Sequence, residues 1–269
     1  MRAPGPRADG RAIVILGAGG YIGAGFRPAR PISRHAAPAA RSLRYRSIMA
    51  VTLDFKAARL NMVEGQVRPN KVTDNAVVSA MLDLPRERFV PPAMKSLAYI
   101  DEDLQVAPGR FLLEPMVLAR LVQEARVGRG DIALDVAPAT GYSTALLGRL
   151  AGTVVAVEAD AALAEQATRN LQDLGVDNAV VVSGDHAQGH AKQGPYDVIL
   201  LGGAVSEVPT TLLDQLSEGG RLVCVLAAVG GVGQAKLFQR VGGRISGRTV
   251  FDANVQRLPG FEPKPRFEF

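Results

Sequence analysis

Beyond Gly130 the chain alternates short, continuous apolar runs with amphipathic stretches. Apolar runs at residues 132–137, 154–158, 179–183, 198–201 and 221–227 are interrupted by helical patterns at 142–150, 161–174 and 210–216. A strand that is apolar at every position must be covered on both faces, and helices between strands supply that cover, so the pattern predicts a parallel sheet with helices on either side. The last part lacks a helical pattern. Residues 235–241 and 244–255 flank Gly242-Gly243 and read as an antiparallel hairpin. The predicted fold is α/β, a doubly wound sheet of seven strands with a C-terminal antiparallel hairpin and N-terminal helices.

Ahead of the sheet, Leu53, Ala57, Leu60 and Val63 are spaced for one face of a helix. A second helix is expected from Asp74, a side chain suited to an N-cap, through Val77, Val78, Met81 and Leu82 to Pro85. Pro91-Pro92 and Pro108-Gly109 mark an irregular passage, and Pro115 suits the first turn of a helix reaching Ala125. The expected organisation is a leader over residues 1–48 and one domain over 49–269, whose N-terminal helical segment spans about 53–127.

The leader carries nine arginines, no lysine and one acid, Asp9, a balance of +8 in a chain whose net charge is +5. The rest of the chain is therefore slightly acidic, which argues against nucleic acid as a partner. Within the leader, an apolar run at 12–16 precedes Gly17, Gly20 and Gly23, the spacing of a dinucleotide loop. Pro28 and Pro31 oppose the helix such a loop must open, and no acid follows before Asp54, so a nicotinamide-dependent oxidoreductase is the weakest reading. Two origins fit this composition, an organellar transit peptide and a translation start placed upstream of Met49; the break at Met49 favours the second. Either way the leader is expected to be disordered.

One cysteine, Cys224, excludes an internal disulfide, and its apolar surroundings place it in the core. The longest apolar stretches fall short of the roughly 18 residues of a membrane span. A soluble, cytoplasmic protein of open oligomeric state is expected. His186 and His190 lie four apart, but Gln188-Gly189 between them reads as loop, and no metal is expected.

In open α/β sheets ligands bind beyond the carboxyl ends of the strands, where strand order reverses. The first strand ends in Asp135, Val136, Ala137, Pro138, Ala139, Thr140 and Gly141, a backbone turn. The second ends in Glu158, placed to accept from two ribose hydroxyls. The third ends in Asp185-His186, where a carboxylate can take an adenine amine and the imidazole can flank the ring.

With these residues in order, the sequence resembles the protein-L-isoaspartate O-methyltransferase family, within the class I S-adenosylmethionine-dependent methyltransferases. Met62-Val-Glu-Gly-Gln-Val67, Met81-Leu-Asp-Leu-Pro-Arg-Glu-Arg-Phe-Val-Pro91, Ala98-Tyr-Ile-Asp101 and Gln215-Leu-Ser-Glu-Gly-Gly-Arg-Leu-Val223 carry the resemblance, which covers about residues 55–228. It implies the same fold, a Rossmann-like sheet, and S-adenosyl-L-methionine as cofactor, bound by Asp135, Ala137 to Gly141, Glu158, Asp185 and His186. It also implies methylation of an isoaspartyl carboxylate in a protein or peptide, a repair reaction.

Two loops depart from the family pattern. In the cofactor turn, Ala137 and Ala139 replace two glycines, which alanine tolerates if φ is negative. In the substrate loop, Phe111 and Leu113 stand where hydroxyl residues belong and Arg110 where glutamine belongs, with Leu112 between. Arg110 is read as a solvated loop arginine ahead of a fork for the substrate carboxylate. The apolar loop suits a less polar acceptor, so a methyltransferase with another acceptor, or a cofactor-binding interaction protein without isoaspartyl activity, is the alternative reading.

Overall fold

The computed structural model describes residues 54–228 and 230–261; the expectations for the leader, its glycine loop and the chain after Phe261 lie outside them. The described part opens with α1 (Phe55–Met62) and α2 (Asn75–Asp83). Both start on an aspartate whose carboxylate accepts first-turn amides that have no partner within the helix. Asp54 takes Lys56 N and Ala57 N, each at 3.0 Å, and Asp74 takes Ala76 N at 2.8 Å.

The passage expected to be irregular contains a hairpin. Strands β1 (Leu104–Ala107) and β2 (Arg110–Leu112) pair antiparallel around Pro108-Gly109, with Gly109 at φ 69°. Strands of four and three residues are too short for alternation to stand out in the sequence. Helix α3 (Pro115–Ala125) follows, with its proline in the first turn.

The main sheet is built from β3 (Ile132–Val136), β4 (Thr153–Glu158), β5 (Ala179–Ser183), β6 (Tyr196–Val205), β7 (Leu216–Leu226), β8 (Gln234–Val241) and β9 (Arg244–Asp252). Their order is β5-β4-β3-β6-β7-β8-β9; β5 to β7 are parallel, and β8 and β9 return antiparallel. Helices α4 (Tyr142–Leu150) and α5 (Ala161–Asp173) make the first two crossovers. Alternate residues of each strand face opposite layers. Ala133, Val154, Val198, Leu200 and Val223 join the N-terminal helices, α3 and α4 in one core, while Leu134, Val136, Val155, Val157, Ile199 and Leu222 form the other.

The boundaries differ most from expectation at α6 and β6. The helix expected to reach residue 216 is one turn, α6 (Thr210–Leu213), because Gln215 O accepts Tyr196 N at 2.7 Å and draws the chain into β7 beside β6. Strand β6 runs on to Val205, where Ala204 pairs with Val225 on one side and exchanges backbone hydrogen bonds with Gln256 and Leu258 on the other. Cys224 is fully buried within β7. Among the described residues no helix is long and apolar enough to cross a membrane.

Candidate cofactor and acceptor site

Strand order reverses between β3 and β6, since β4 and β5 lie on one side of β3 while β6 and β7 lie on the other. The turn after β3 sits at that crevice. Its conformation is left-handed at Ala137 (φ 64°), Ala139 (φ 52°) and Gly141 (φ 93°), so the condition under which alanine is tolerated at the two positions, a negative φ, is not met. The packing around the turn imposes it. Ala137 N donates to Val157 O at 2.9 Å, Gly141 N to Pro138 O at 2.9 Å, and Ala139 N to Glu158 Oε2 at 3.0 Å. Against this turn lies Gly202 of β6, where a Cβ would stand 2.3 Å from Ala137 O. Thr140 is turned away from the crevice: its hydroxyl donates to Phe89 O at 2.6 Å, and its carbonyl accepts Asn170 Nδ2 at 2.9 Å.

Asp135 is fully buried at the end of β3. Ser143 Oγ and Thr144 Oγ1 both donate to its Oδ2 at 2.7 Å, while Oδ1 is buried with no hydrogen-bond partner. Burial pushes its carboxyl up to about 6, against the two hydroxyls. An orphan acceptor beside a crevice lacks a donor, and a cationic ammonium suits it.

Glu158 is fully buried at the end of β4 and is the most heavily hydrogen-bonded group here. Arg110, at the start of β2, grips it with both terminal nitrogens, Nη1 on Oε1 and Nη2 on Oε2, the latter at 2.7 Å. Asp160 N donates to Oε1 at 3.1 Å and Ala139 N to Oε2. His186 Nε2 lies 3.1 Å from Oε1 and 2.9 Å from Ala159 N; one ring nitrogen serves only one of these at a time, accepting from the amide or donating to the carboxylate. Burial opposes charge on Glu158, but His186 and the Arg110 guanidinium outweigh it and hold the carboxyl at about 2. Arg110 is therefore not solvated as expected: it is 6% exposed, with its charge matched by Glu158. Nor is it free to hold a substrate carboxylate in this conformation.

At the end of β5, Asp185 is exposed and caps a short turn by accepting Ala187 N at 2.8 Å, while His186 is turned inward. On the far side of the crevice, Leu112 and Leu113 are buried in the core and Phe111 is half-buried. A cavity of about 10 Å³ separates Phe111, Leu113 and Leu118 from Ala137, Ser143 and Gly202, space for about one water. The strand-end groups thus suit S-adenosylmethionine in chemistry: an orphan carboxylate oxygen for an ammonium, a carboxylate for a diol and an exposed carboxylate for an amine. Arg110 already occupies both oxygens of the Glu158 carboxylate.

Residue-type reasoning passed over Arg86. It is fully buried without a carboxylate partner, its Nε donating to Ala98 O and its Nη2 to Leu113 O, both at 2.7 Å, with the guanidinium 4.9 Å from the centre of the Tyr142 ring. It ties the end of the β1–β2 hairpin to the N-terminal segment. Its place in the Pro-Arg-Glu-Arg-Phe-Val-Pro string was the available signal. Glu114, next to Leu113, is pushed up to about 7 by burial and by the charges of Asp103, Asp101 and Glu102. Among the described residues no group of three or more His, Cys, Asp or Glu is placed to hold a metal ion.

A family model described as protein-L-isoaspartate(D-aspartate) O-methyltransferase matches residues 59–254. The protein-L-isoaspartate O-methyltransferase of Koribacter versatilis is 40% identical over 169 residues, 63% of this chain and 76% of that one. That of Methanoculleus marisnigri is 38% identical over 165 residues, 61% and 75% of the two chains. A solved protein-L-isoaspartate O-methyltransferase superposes with a TM-score of 0.65 at 27% identity, covering 77% of this chain and 66% of that one. A Plasmodium falciparum structure in complex with S-adenosyl-L-homocysteine shares the fold, with a TM-score of 0.64 over 76% of this chain and 97% of that one.

Proposed function

This chain belongs to the protein-L-isoaspartate(D-aspartate) O-methyltransferase family, and we propose that it is an S-adenosylmethionine-dependent carboxyl methyltransferase acting on isoaspartyl residues of proteins or peptides. The observation that carries the site assignment is Asp135, whose buried Oδ1 is an acceptor without a donor at the switch point of the sheet. Asp135 takes the cofactor ammonium, Glu158 the ribose hydroxyls and Asp185 the adenine amine, with the turn from Ala137 to Gly141 against the cofactor. S-adenosylmethionine supplies an electrophilic methyl group on a sulfonium. An ionised carboxylate is already a nucleophile, so no general base is required of the chain, and its task is to align the acceptor. A cytoplasmic location accompanies this reading.

Phe111 and Leu113 bear on the acceptor. Neither offers a hydrogen bond to an anion, and burying a carboxylate without donors costs several kcal/mol. Turnover on isoaspartyl peptides is therefore slow in this chain, and a less polar acceptor is the second reading, favoured by the same two side chains. The test is transfer of labelled methyl from S-adenosylmethionine to an isoaspartyl peptide and its aspartyl counterpart, with cofactor binding followed by calorimetry. Slow labelling confined to the isoaspartyl peptide, faster in Phe111→Thr, supports the assignment; this variant leaves the buried Leu113 in place. Cofactor binding without labelling of either peptide overturns the acceptor, and absence of cofactor binding overturns the whole reading.

A further inference from the structure

Arg110 opens β2 directly after the Pro108-Gly109 turn and pairs across it with Ala107, so it sits at the tip of the β1–β2 hairpin. The base of the hairpin is tied down on both strands. Asp103 accepts Glu114 N at 2.8 Å and Gln256 N at 2.7 Å, and Arg86 holds Leu113 O. At the tip the anchoring side chain is Arg110, reaching 48 residues along the sequence to Glu158.

A carboxylate offers about four lone-pair positions. On Glu158 two are taken by Arg110, one by Ala139 N and one by Asp160 N, with His186 Nε2 also 3.1 Å from Oε1, so no position is left for a ribose diol while Arg110 stays. A guanidinium edge and a cis-diol are alike in this respect, since each presents two adjacent donors to one carboxylate. The grip is incomplete on one side, because Arg110 Nε is buried without a partner and gains a water when the side chain leaves.

We propose that Arg110 is an intramolecular competitor for the ribose subsite, so that the β1–β2 hairpin is a lid latched on Glu158 and cofactor entry releases it. The inference rests on the reading that the strand ends hold S-adenosylmethionine. Its consequence reaches the acceptor side: Arg110 is followed immediately by Phe111 and Leu112, so the exchange that admits the cofactor also shifts the loop facing the acceptor. Apparent affinity falls by the fraction of molecules in the open form, and a latch closed about nine-tenths of the time weakens binding roughly tenfold.

The test is calorimetric titration of the full chain and of Arg110→Gln with S-adenosylhomocysteine, together with amide hydrogen exchange over residues 104–113. Removing the competitor should tighten binding about tenfold. Exchange in the wild-type hairpin should become faster when ligand binds, the opposite of the protection ordinary burial produces, and in Arg110→Gln it should be fast already without ligand. Equal or weaker binding by the variant, or protection of the wild-type hairpin on binding, overturns the latch alone. No binding by either protein overturns the latch and the cofactor reading together. If Arg110→Gln does not fold, the wild-type exchange response decides.

Discussion

At Gly202 the main chain of the turn leaves no room for a side chain, and Gly202→Ala tests this. A Cβ at Gly202 would lie 2.3 Å from Ala137 O, 3.2 Å from Ala137 C and 3.3 Å from Val136 O, all main-chain atoms with no side chain able to rotate away. Carbon and oxygen sit at about 3.3 Å or more even in weak hydrogen bonds, so the turn and β6 must part by about 1 Å. Both sides are held close by: Ala137 N is bonded to Val157 O, and although Gly202 lies in the irregularity of β6 between Leu200 and Ala204, Leu201 pairs with Val136 and Leu200 and Ala204 pair with β7. Overpacking of this kind costs about 1–3 kcal/mol and occasionally more; with backbone on both sides we expect about 2–3 kcal/mol. For a domain of this size each kcal/mol moves the midpoint by about 2–4 °C, so Tm should fall by roughly 4–12 °C. Affinity for S-adenosylhomocysteine should fall with it, because moving the turn moves Ala139 N–H off Glu158. Gly65→Ala is the control: nothing lies within 4 Å of its added Cβ, and a compatible glycine-to-alanine change gains about 0.4–1 kcal/mol. Thermal and urea unfolding of both variants provide the measurement. A Gly202→Ala midpoint within a degree of wild type would refute the argument from close approach.

Three further outcomes follow from buried charge. Arg86→Met removes charge-assisted hydrogen bonds to Ala98 O and Leu113 O, each worth roughly 1.5–3 kcal/mol, offset by relief of the burial that lowers its pKa; a net loss of about 2–4 kcal/mol should appear in urea unfolding, with faster exchange at residues 110–113. For Asp135, a folded pKa of about 6 against 3.8 unfolded means that stability falls as pH rises through that interval, by about 3 kcal/mol in full. Asp135→Asn should therefore raise Tm at pH 7.5 more than at pH 5 while weakening ligand binding, and a lowered Tm at pH 7.5 would contradict the assignment. Glu114 carries the same sign over a window from 4.5 to about 7, so Glu114→Gln should flatten the decline of Tm across it; an unchanged pH profile would show that the neighbouring acids do not act on it.

The sequence alone determined what depends on neighbours along the chain. Alternating apolar runs and helical faces dictate a doubly wound sheet, because a strand apolar on both sides has to be covered on both. Asp74 and Pro115 mark helix starts through contacts within one turn, and the strand-end acids are readable because topology sends every parallel strand's carboxyl end to the same edge. What tertiary structure decided is where distant pieces meet. Ala137 and Ala139 are left-handed because Val157, Glu158 and Gly202 hold the turn, a conformation that local preference opposes. The β6–β7 pairing, rather than the helical pattern at 210–216, sets where α6 stops. Above all, Arg110 in isolation is a polar loop residue, and only the short β1–β2 hairpin places its guanidinium on a buried Glu158. A charge taken out of water must find an opposite charge, and which one it finds is settled by the packing of segments far apart in the chain.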